Sequence, residues 1–357
     1  MDADAMNLEQ CRERIDAIDD QLITLLEERM GIVHQVGEYK RATGGAIYRP
    51  EREKAILERM KSQASRLSDG AIEAIFLEIF AVSRHLELPE CIAYLGPQGS
   101  FTHQAAESRF GAMGEYLSMN SIGAIFKSVQ AGRAKYGVVP IENNTDGVVG
   151  ETLDRLGGSE LSVVAEMMLP IHHAFGSKAD HLRSIERIYS KDIAFGQCRN
   201  FLAEYSLEDM ERIPVESTAK AARLAAEDPK SAAICSHIAA KIYGLPILFE
   251  NIEDSHTNKT RFVVISDYKN VPSGQDKTTI LAKTANRPGA LLALLREFHE
   301  AGINLTKIES RPSREDGGFS SWFYIDFEGH CDDDRVAPVL ARRSGEIKWL
   351  GSYARNC

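Results

Sequence analysis

At 357 residues the chain is long enough for two or three domains, and its 43% apolar and 26% charged residues give each of them material for a core. A formal charge of −10 with no lysine- or arginine-rich run argues against a nucleic-acid surface, and no 18-residue apolar run offers a membrane span. Six scattered cysteines without a Cys-x-x-Cys pair, after a polar start from Met1 to Gln10, fit a reducing cytoplasm with neither a disulfide framework nor a zinc site.

The first ninety residues read as helix. Leu8, Cys11, Ile15, Ile18, Leu22 and Leu25 recur at spacings of three and four, and Met30, Val33 and Val36 continue the stripe. Gly44-Gly45 stops this long helix. A second helix starts after Pro50 and carries Ile56, Leu57 and Met60. Ser68-Asp69 caps a third, with Ile72, Ile75, Phe76, Ile79, Phe80 and Val82, which Pro89 ends. Arg29 and Lys40 are eleven residues apart, so they face nearly the same way at ~16 Å and can converge on one small anion. Arg12 is ~25 Å from Arg29 and turned by ~100°, out of reach of that site within one straight helix. It suits a site in a second, antiparallel chain, and a long lone apolar stripe also wants a partner.

These residues resemble the all-helical chorismate mutases over residues 7 to 88: Cys11-Arg12-Glu13-Arg14-Ile15-Asp16-Ala17-Ile18-Asp19, Arg29, Lys40, Pro50-Glu51-Arg52-Glu53 and Ser83. The resemblance implies a cofactor-free rearrangement of chorismate to prephenate, in which the site holds a folded dicarboxylate and stabilises charge growing on the ether oxygen. It implies that Arg12 of a partner chain and Arg29 clamp the carboxylates, that Lys40 donates to the ether oxygen, and that Glu53 accepts from the substrate hydroxyl with Arg52 and Ser83 nearby. Two positions depart from the family's common form. Arg49 stands where an aspartate often helps bind substrate, and Glu87 where a glutamine often donates to the ether oxygen. A carboxylate donates only when protonated, so mutase activity is expected to fall as the pH rises past the titration of Glu87.

From Cys91 the texture changes to short apolar runs alternating with helical stretches. Ile92–Leu95, Tyr136–Ile141, Ile185–Ser190, Ala232–Cys235 and Arg261–Ser266 read as strands, Thr218–Glu227 and Ser236–Tyr243 as helices, an α/β domain with a largely parallel sheet. Gly96-Pro97-Gln98-Gly99-Ser100-Phe101-Thr102-His103 turns from a strand into a helix and offers hydroxyls and free N–H groups to an anion. It is neither a dinucleotide fingerprint nor a P-loop. With Val139-Pro140-Ile141-Glu142-Asn143-Asn144-Thr145-Asp146-Gly147, Gly196-Gln197-Cys198-Arg199, Glu216-Ser217-Thr218-Ala219 and Asn258-Lys259-Thr260-Arg261-Phe262, this series resembles prephenate dehydratase over residues 91 to 268.

The resemblance implies two α/β lobes around a cleft, like periplasmic binding proteins, with 91–170 plus 250–268 in the first lobe. It implies decarboxylation with loss of a hydroxyl to give phenylpyruvate, with Thr260 essential and Arg261 and Phe262 completing its motif. Ser100, Thr102, Glu142, Asn143, Thr145, Gln197, Ser217 and Thr218 are the further cleft candidates. Asn144, and Lys191-Asp192 in place of a frequent His-Pro, depart from the family's pattern. His172-His173 also resembles the family, but as strand neighbours the two point opposite ways and are no metal pair.

After the linker Pro272–Asp276, the order strand (Thr278–Thr284), helix (Pro288–Ala301), strand (Ile303–Ser310), strand (Ser321–Phe327), helix (Asp333–Arg343), strand (Ile347–Tyr353) is the ferredoxin-like βαββαβ. Asn286-Arg287-Pro288-Gly289-Ala290-Leu291 and Asn304-Leu305-Thr306-Lys307-Ile308-Glu309-Ser310-Arg311-Pro312 resemble the ACT domain of prephenate dehydratases. That implies feedback by phenylalanine, with Gly289, Ala290, Leu291, Asn304, Glu309 and Ser310 at the effector pocket. The expected fold is thus multidomain: an all-α three-helix unit over 1–90, a two-lobed α/β unit over 91–270 and an α+β ferredoxin-like unit over 277–357. A homodimer is expected and a tetramer allowed, with no metal or cofactor. A dehydratase with a structural, weakly active helical arm is the alternative, kept open by Arg49 and Glu87. A two-lobed binding module without turnover is the reading from a different class.

Overall fold

The computed structural model describes residues 6–43, 48–87, 91–145, 147–255, 257–312 and 321–355. The stops expected at Gly44-Gly45 and at Pro89, and Asp146 of the second cleft motif, lie outside the described residues.

Three helices come first: α1 (Leu8–Thr43), α2 (Pro50–Gln63) and α3 (Asp69–Glu87). Pro50 opens α2 at the position where its missing N–H costs nothing, and Ser68 Oγ accepts the Ala71 N–H to start α3. The stripe of α1 lies open along its first half: Leu8, Ile15, Leu22 and Leu25 are each more than half exposed. The arm is anchored at its far end instead. Tyr48 is fully buried in the core of the following domain, against Tyr94, Phe110 and Tyr136, and its hydroxyl meets Arg109. Burying such a ring is worth about 2–3 kcal/mol.

The middle domain begins with β1 (Cys91–Leu95), α4 (Phe101–Phe110), β2 (Glu115–Met119), α5 (Ile122–Gln130), β3 (Tyr136–Asn143), β4 (Gly147–Val148), α6 (Gly150–Gly157) and β5 (Ser162–Pro170). The chain crosses to a second lobe of β6 (Ala174–Ser177), β7 (Arg187–Ser190), α7 (Asp192–Gln197), α8 (Arg199–Glu204), β8 (Glu211–Pro214), α9 (Thr218–Glu227), β9 (Ser231–Cys235), α10 (His237–Tyr243) and β10 (Ile247–Phe249), and returns as β11 (Lys259–Ser266). The sheets run β2-β1-β3-β11-β5, with β4 on β3, and β10-β6-β9-β7-β8.

Both sheets are mixed rather than largely parallel. β1 and β7 pair in parallel with their neighbours, but β11 runs antiparallel to β3 and β5, and β6 antiparallel to β9 and β10. The physical reason is the double crossing, in which the outgoing and returning segments lie side by side and head in opposite directions. The return also falls later than residue 250. Ile252 packs in the second lobe's core and donates its N–H to His173 O, and the first lobe is regained where Asn258 O accepts from Ile171 N.

The last domain is β12 (Asp276–Lys283), α11 (Ala290–Glu300), β13 (Leu305–Pro312), β14 (Ser321–Glu328), α12 (Ala337–Arg342) and β15 (Ile347–Ala354), with sheet order β13-β14-β12-β15. One face packs on its own helices through Ile280, Leu294, Phe298, Ile325 and Phe327. The other joins the first lobe's core through Leu281, Tyr324, Leu350 and Tyr353. The backbones touch: a Cβ on Gly351 would stand 2.2 Å from Val163 O.

Candidate functional sites

The helical arm holds an open cleft of about 450 Å3 lined by Arg29, Lys40, Arg49, Arg52, Glu53, Ser83, Arg84 and Glu87 over a floor of Ile32, Val33, Val36, Ile56 and Phe80. Five cations face two carboxylates there, which favours a dianionic ligand. Arg29 Nη1 donates to Ser83 Oγ (2.5 Å), Lys40 Nζ to Glu87 Oε2 (2.6 Å), and Arg84 pairs with Glu53. Burial lowers the pKa of Arg29, Glu87 raises it and Arg52 lowers it, and the guanidinium stays charged. Arg49 turns toward Glu51. Arg12 is exposed and does not line the cleft, as the helix geometry requires. Arg84, absent from the sequence expectations, is the addition: it is 8% exposed, and its Nη2 donates to Phe110 O in the neighbouring domain (3.0 Å).

Between the two lobes the crossing strands place a second set. Asn143 Nδ2 donates to Asn258 Oδ1 (2.9 Å) and to Thr260 Oγ1 (2.8 Å). The Thr145 N–H donates to Asn143 Oδ1 (2.8 Å), which fixes the amide's orientation. Thr260 Oγ1 therefore accepts from Asn143 and keeps its own proton to donate. Across the crossing His173 Nε2 lies 2.9 Å from Gln197 Oε1, with its ring edge-on to Phe101. Burial lowers the His173 pKa, so the imidazole is neutral and its N–H orients the Gln197 amide. Glu253 grips the same turn, bonding His172 Nδ1 (2.6 Å) and His173 N (2.9 Å).

Ser100 and Ser217 cap α4 and α9 by accepting from His103 N and Lys220 N, and Thr102 and Thr218 are buried in the first turns. Gly99, just ahead of α4, packs against the starts of α9 and α10: a Cβ there would stand 3.3 Å from Ala219 and 3.1 Å from Ala239. The cleft thus offers hydroxyls, amides and the positive ends of two helix dipoles to an anion.

Three expected cleft residues are not brought there. Thr260 pairs with Asn143 and Arg261 with Glu142 in the β3–β11 ladder, and successive residues of a strand face opposite ways. Arg261 and Glu142 therefore point to the C-terminal sheet, where Arg261 Nη1 donates to Asp326 Oδ2 (2.7 Å) and Glu142 pairs with Lys307. Phe262 is 2% exposed in the first lobe's core with Tyr94 and Tyr136.

In the C-terminal domain Gly289 has φ +81°, a left-handed conformation that suits glycine, and opens α11 at Ala290 and Leu291. Asn304 O accepts from Glu328 N (3.0 Å) at the start of β13. Along β13 the expected pair divides. Ser310 sits opposite Phe323 on the helix-covered face, while Glu309 sits opposite Tyr324 on the face toward the first lobe. His330, Cys331 and Asp332 place potential metal ligands within 4.8 Å of one another, but His330 Nδ1 accepts the Asp332 N–H and its Nε2 faces Asn270 O. No described helix is long and apolar enough to cross a membrane.

Family models match three successive segments: chorismate mutase type II over residues 11–88, prephenate dehydratase over 92–270 and the ACT domain over 278–342. The chain is 40% identical to the bifunctional chorismate mutase/prephenate dehydratase of Aquifex aeolicus, covering 98% of each chain. It is 41% identical to that of Neisseria gonorrhoeae, covering 96% of this chain and 95% of the relative. Among solved structures it is similar to the prephenate dehydratase of Arthrobacter aurescens in complex with L-Phe, with 36% identity, a TM-score of 0.67 and coverage of 74% of this chain and 90% of that one.

Proposed function

The chain belongs to the bifunctional chorismate mutase/prephenate dehydratase family, and on that premise we propose which residues run its two reactions, converting chorismate to prephenate and prephenate to phenylpyruvate. The three matched segments support a division into 1–90, 91–270 and 277–357. In the helical cleft Arg29, Arg52 and Lys40, with Arg12 of a partner chain, hold the dicarboxylate in its folded conformer, and Glu53 accepts from its hydroxyl. Lys40, ion-paired with Glu87, is the donor to the ether oxygen. The open apolar stripe of α1 and the distance of Arg12 from the cleft support a dimer in which two arms run antiparallel.

In the second cleft Thr260 donates its proton to the departing hydroxyl, which leaves as water, while the C–CO2 bond electrons make the ring aromatic and carbon dioxide departs; Thr260 takes a proton back from solvent. Asn143 holds Thr260, Gln197 held by His173 binds substrate, and the starts of α4 and α9, with Ser100, Thr102, Ser217 and Thr218, receive the carboxylates. The observation that carries this assignment is the Asn143–Thr260 hydrogen bond, which leaves Thr260 a donor. L-Phenylalanine bound near Gly289–Leu291 and Ser310 of paired C-terminal domains restrains the dehydratase. The free cysteines among the described residues support a cytoplasmic setting.

The deciding experiment gives purified protein chorismate alone and follows phenylpyruvate with and without phenylalanine. Accumulation that phenylalanine suppresses is the expected result. Conversion of prephenate but not chorismate would make the arm structural. Thr260→Ala is expected to abolish dehydration and spare the mutase; unchanged dehydration would overturn the assignment of Thr260.

A further inference from the structure

Behind the dehydratase cleft lies a charged cluster that the reaction as described does not use, with Arg261, Glu166 and Asp326 buried and Lys277, Lys307 and Glu142 half-buried around them. Arg261, 5% exposed, donates from Nη1 to Asp326 Oδ2 (2.7 Å) and from Nη2 to the Tyr353 hydroxyl (2.9 Å). Its Nη1 is 3.3 Å from Glu142 Oε1, and its Nε stands 2.9 Å from Glu166 Oε2 but out of line for a hydrogen bond. Lys277 Nζ reaches both oxygens of Glu166 (2.7 and 2.8 Å), Lys307 pairs with Glu142, and Thr279 Oγ1 donates to Asp326 Oδ1 (2.7 Å). Three cations meet three carboxylates. Glu142, Glu166 and Arg261 come from the first lobe; Lys277, Lys307 and Asp326 come from the C-terminal sheet.

A buried ionic cluster contributes little net stability compared with an apolar contact of the same shape. It does fix geometry, because removing one partner leaves another charge buried and unpaired. Here the geometry it fixes is next to the chemistry. Glu142 precedes Asn143 and Arg261 follows Thr260, and the register of β3 and β11 pairs them two by two. Lys307 lies on β13, the edge strand that also carries Ser310 of the effector segment. An edge strand has a single neighbour, so it shifts without dragging a second one.

We propose that Lys307 and Asp326 of the C-terminal domain are positioning residues for the dehydratase reaction, acting through Glu142 and Arg261 to hold Asn143 and Thr260, and that effector binding along β13 restrains dehydration by displacing Lys307 from Glu142. The second half rests on the reading of that domain as a phenylalanine sensor; the first half does not.

The test is Lys307→Met in the full chain, with the mutase rate as the check that the protein is folded. Lys307 and its partner Glu142 are 24% and 29% exposed, so its replacement is expected to leave the fold intact. The dehydratase kcat is expected to fall about tenfold with KM for prephenate little changed, equivalent to ~1.4 kcal/mol. Phenylalanine is expected still to bind in equilibrium dialysis, while the fold-inhibition at saturating phenylalanine shrinks about tenfold because the contact it displaces is already gone. Lys307→Arg should restore both. Asp326→Asn, nearly isosteric, should repeat the kcat loss. A Lys307→Met protein whose kcat and fold-inhibition at saturating phenylalanine both stay within twofold of the parent overturns the proposal. So does one that loses inhibition only because it no longer binds phenylalanine. A parent enzyme that phenylalanine does not inhibit overturns the sensor reading instead, and the kcat comparison still decides the positioning role.

Discussion

Gly37 crosses Glu87 so closely that a Cβ on Gly37 would stand 2.9 Å from Glu87 Cα and 3.1 Å from its carbonyl oxygen. This is where α1 and α3 meet, and one turn further along α1 Lys40 forms its ion pair with Glu87. Glycine in a helix interior costs about 0.5–1 kcal/mol relative to alanine, so an isolated α1 would gain from its replacement. The assembled arm should lose instead, because backbone stands in the way. Gly37→Val is expected to separate the helices, displace Lys40 from the cleft and lower mutase kcat/KM by roughly tenfold or more. Dehydratase kinetics on the same preparation should be unchanged, and equal losses in both would mean general misfolding.

Glu87 Oε2 accepts from Lys40 Nζ at 2.6 Å, so the carboxylate engages the cation proposed to serve the ether oxygen, where an amide would offer an N–H of its own. Glu87→Gln supplies the missing N–H and releases the lysine. Mutase kcat at pH 7.5 should rise by about tenfold, the worth of one well-placed donor. A glutamine variant whose mutase kcat equals the parent's would remove Glu87 from the mechanism.

His173 links pH to stability. Burial lowers its pKa, opposed by the Gln197 hydrogen bond and by Glu253, while His172 adds to the lowering. The unfolded imidazole titrates near ~6.5. Between that value and the lower folded pKa the unfolded chain binds the extra proton, so stability is full above about pH 6.5 and is lost as the pH falls through the folded pKa. His103 moves in the same direction, again from burial, with Glu107 opposing. Melting of the full chain from pH 7.5 to 5.5 should show this loss. His173→Gln should reduce the slope, and a slope identical to the parent's would assign the effect elsewhere.

Much of this organisation was legible in the sequence, and the misses have identifiable causes. The helix Thr218–Glu227 and the order of the C-terminal elements follow from periodicity and capping alone. Asn143 and Thr260 stand in motifs, and the ladder brings them together. Arg261 and Phe262 look like site residues because they adjoin Thr260 in sequence, yet strand alternation already forbids Thr260 and Arg261 from sharing a face. That signal was available and outweighed by the motif. The strand Ser162–Pro170, at the end of the first lobe's sheet, is apolar apart from Glu166 and its ends and does not alternate, a pattern that periodicity alone does not separate from a buried helix. Tyr48, Arg84 and the charged cluster around Arg261 were not legible, because their partners lie on other domains and no local pattern marks them.

Arg84 carries the last prediction, because it ties one active site to the other domain. Its Nη1 pairs with Glu53 in the mutase cleft, its Nη2 donates to Phe110 O, and its guanidinium carbon sits 5.7 Å from the ring centres of both Tyr48 and Phe110. Glu53 is 13% exposed, so Arg84→Met would leave its carboxylate largely buried and unpaired, at a cost of about 3 kcal/mol. The carboxylate should then turn toward Arg52 or solvent and meet the substrate hydroxyl less often. KM for chorismate should rise about tenfold, with a smaller change in kcat, since the donors to the ether oxygen are untouched. Arg84→Lys keeps the charge on Glu53 but not the planar fork that also reaches Phe110 O. It should recover most of the chorismate KM while the arm still melts from its neighbour more readily than in the parent. If Arg84→Met and Arg84→Lys share the same kinetics, the pair with Glu53 does not position that residue, and Arg84 serves only to dock the arm.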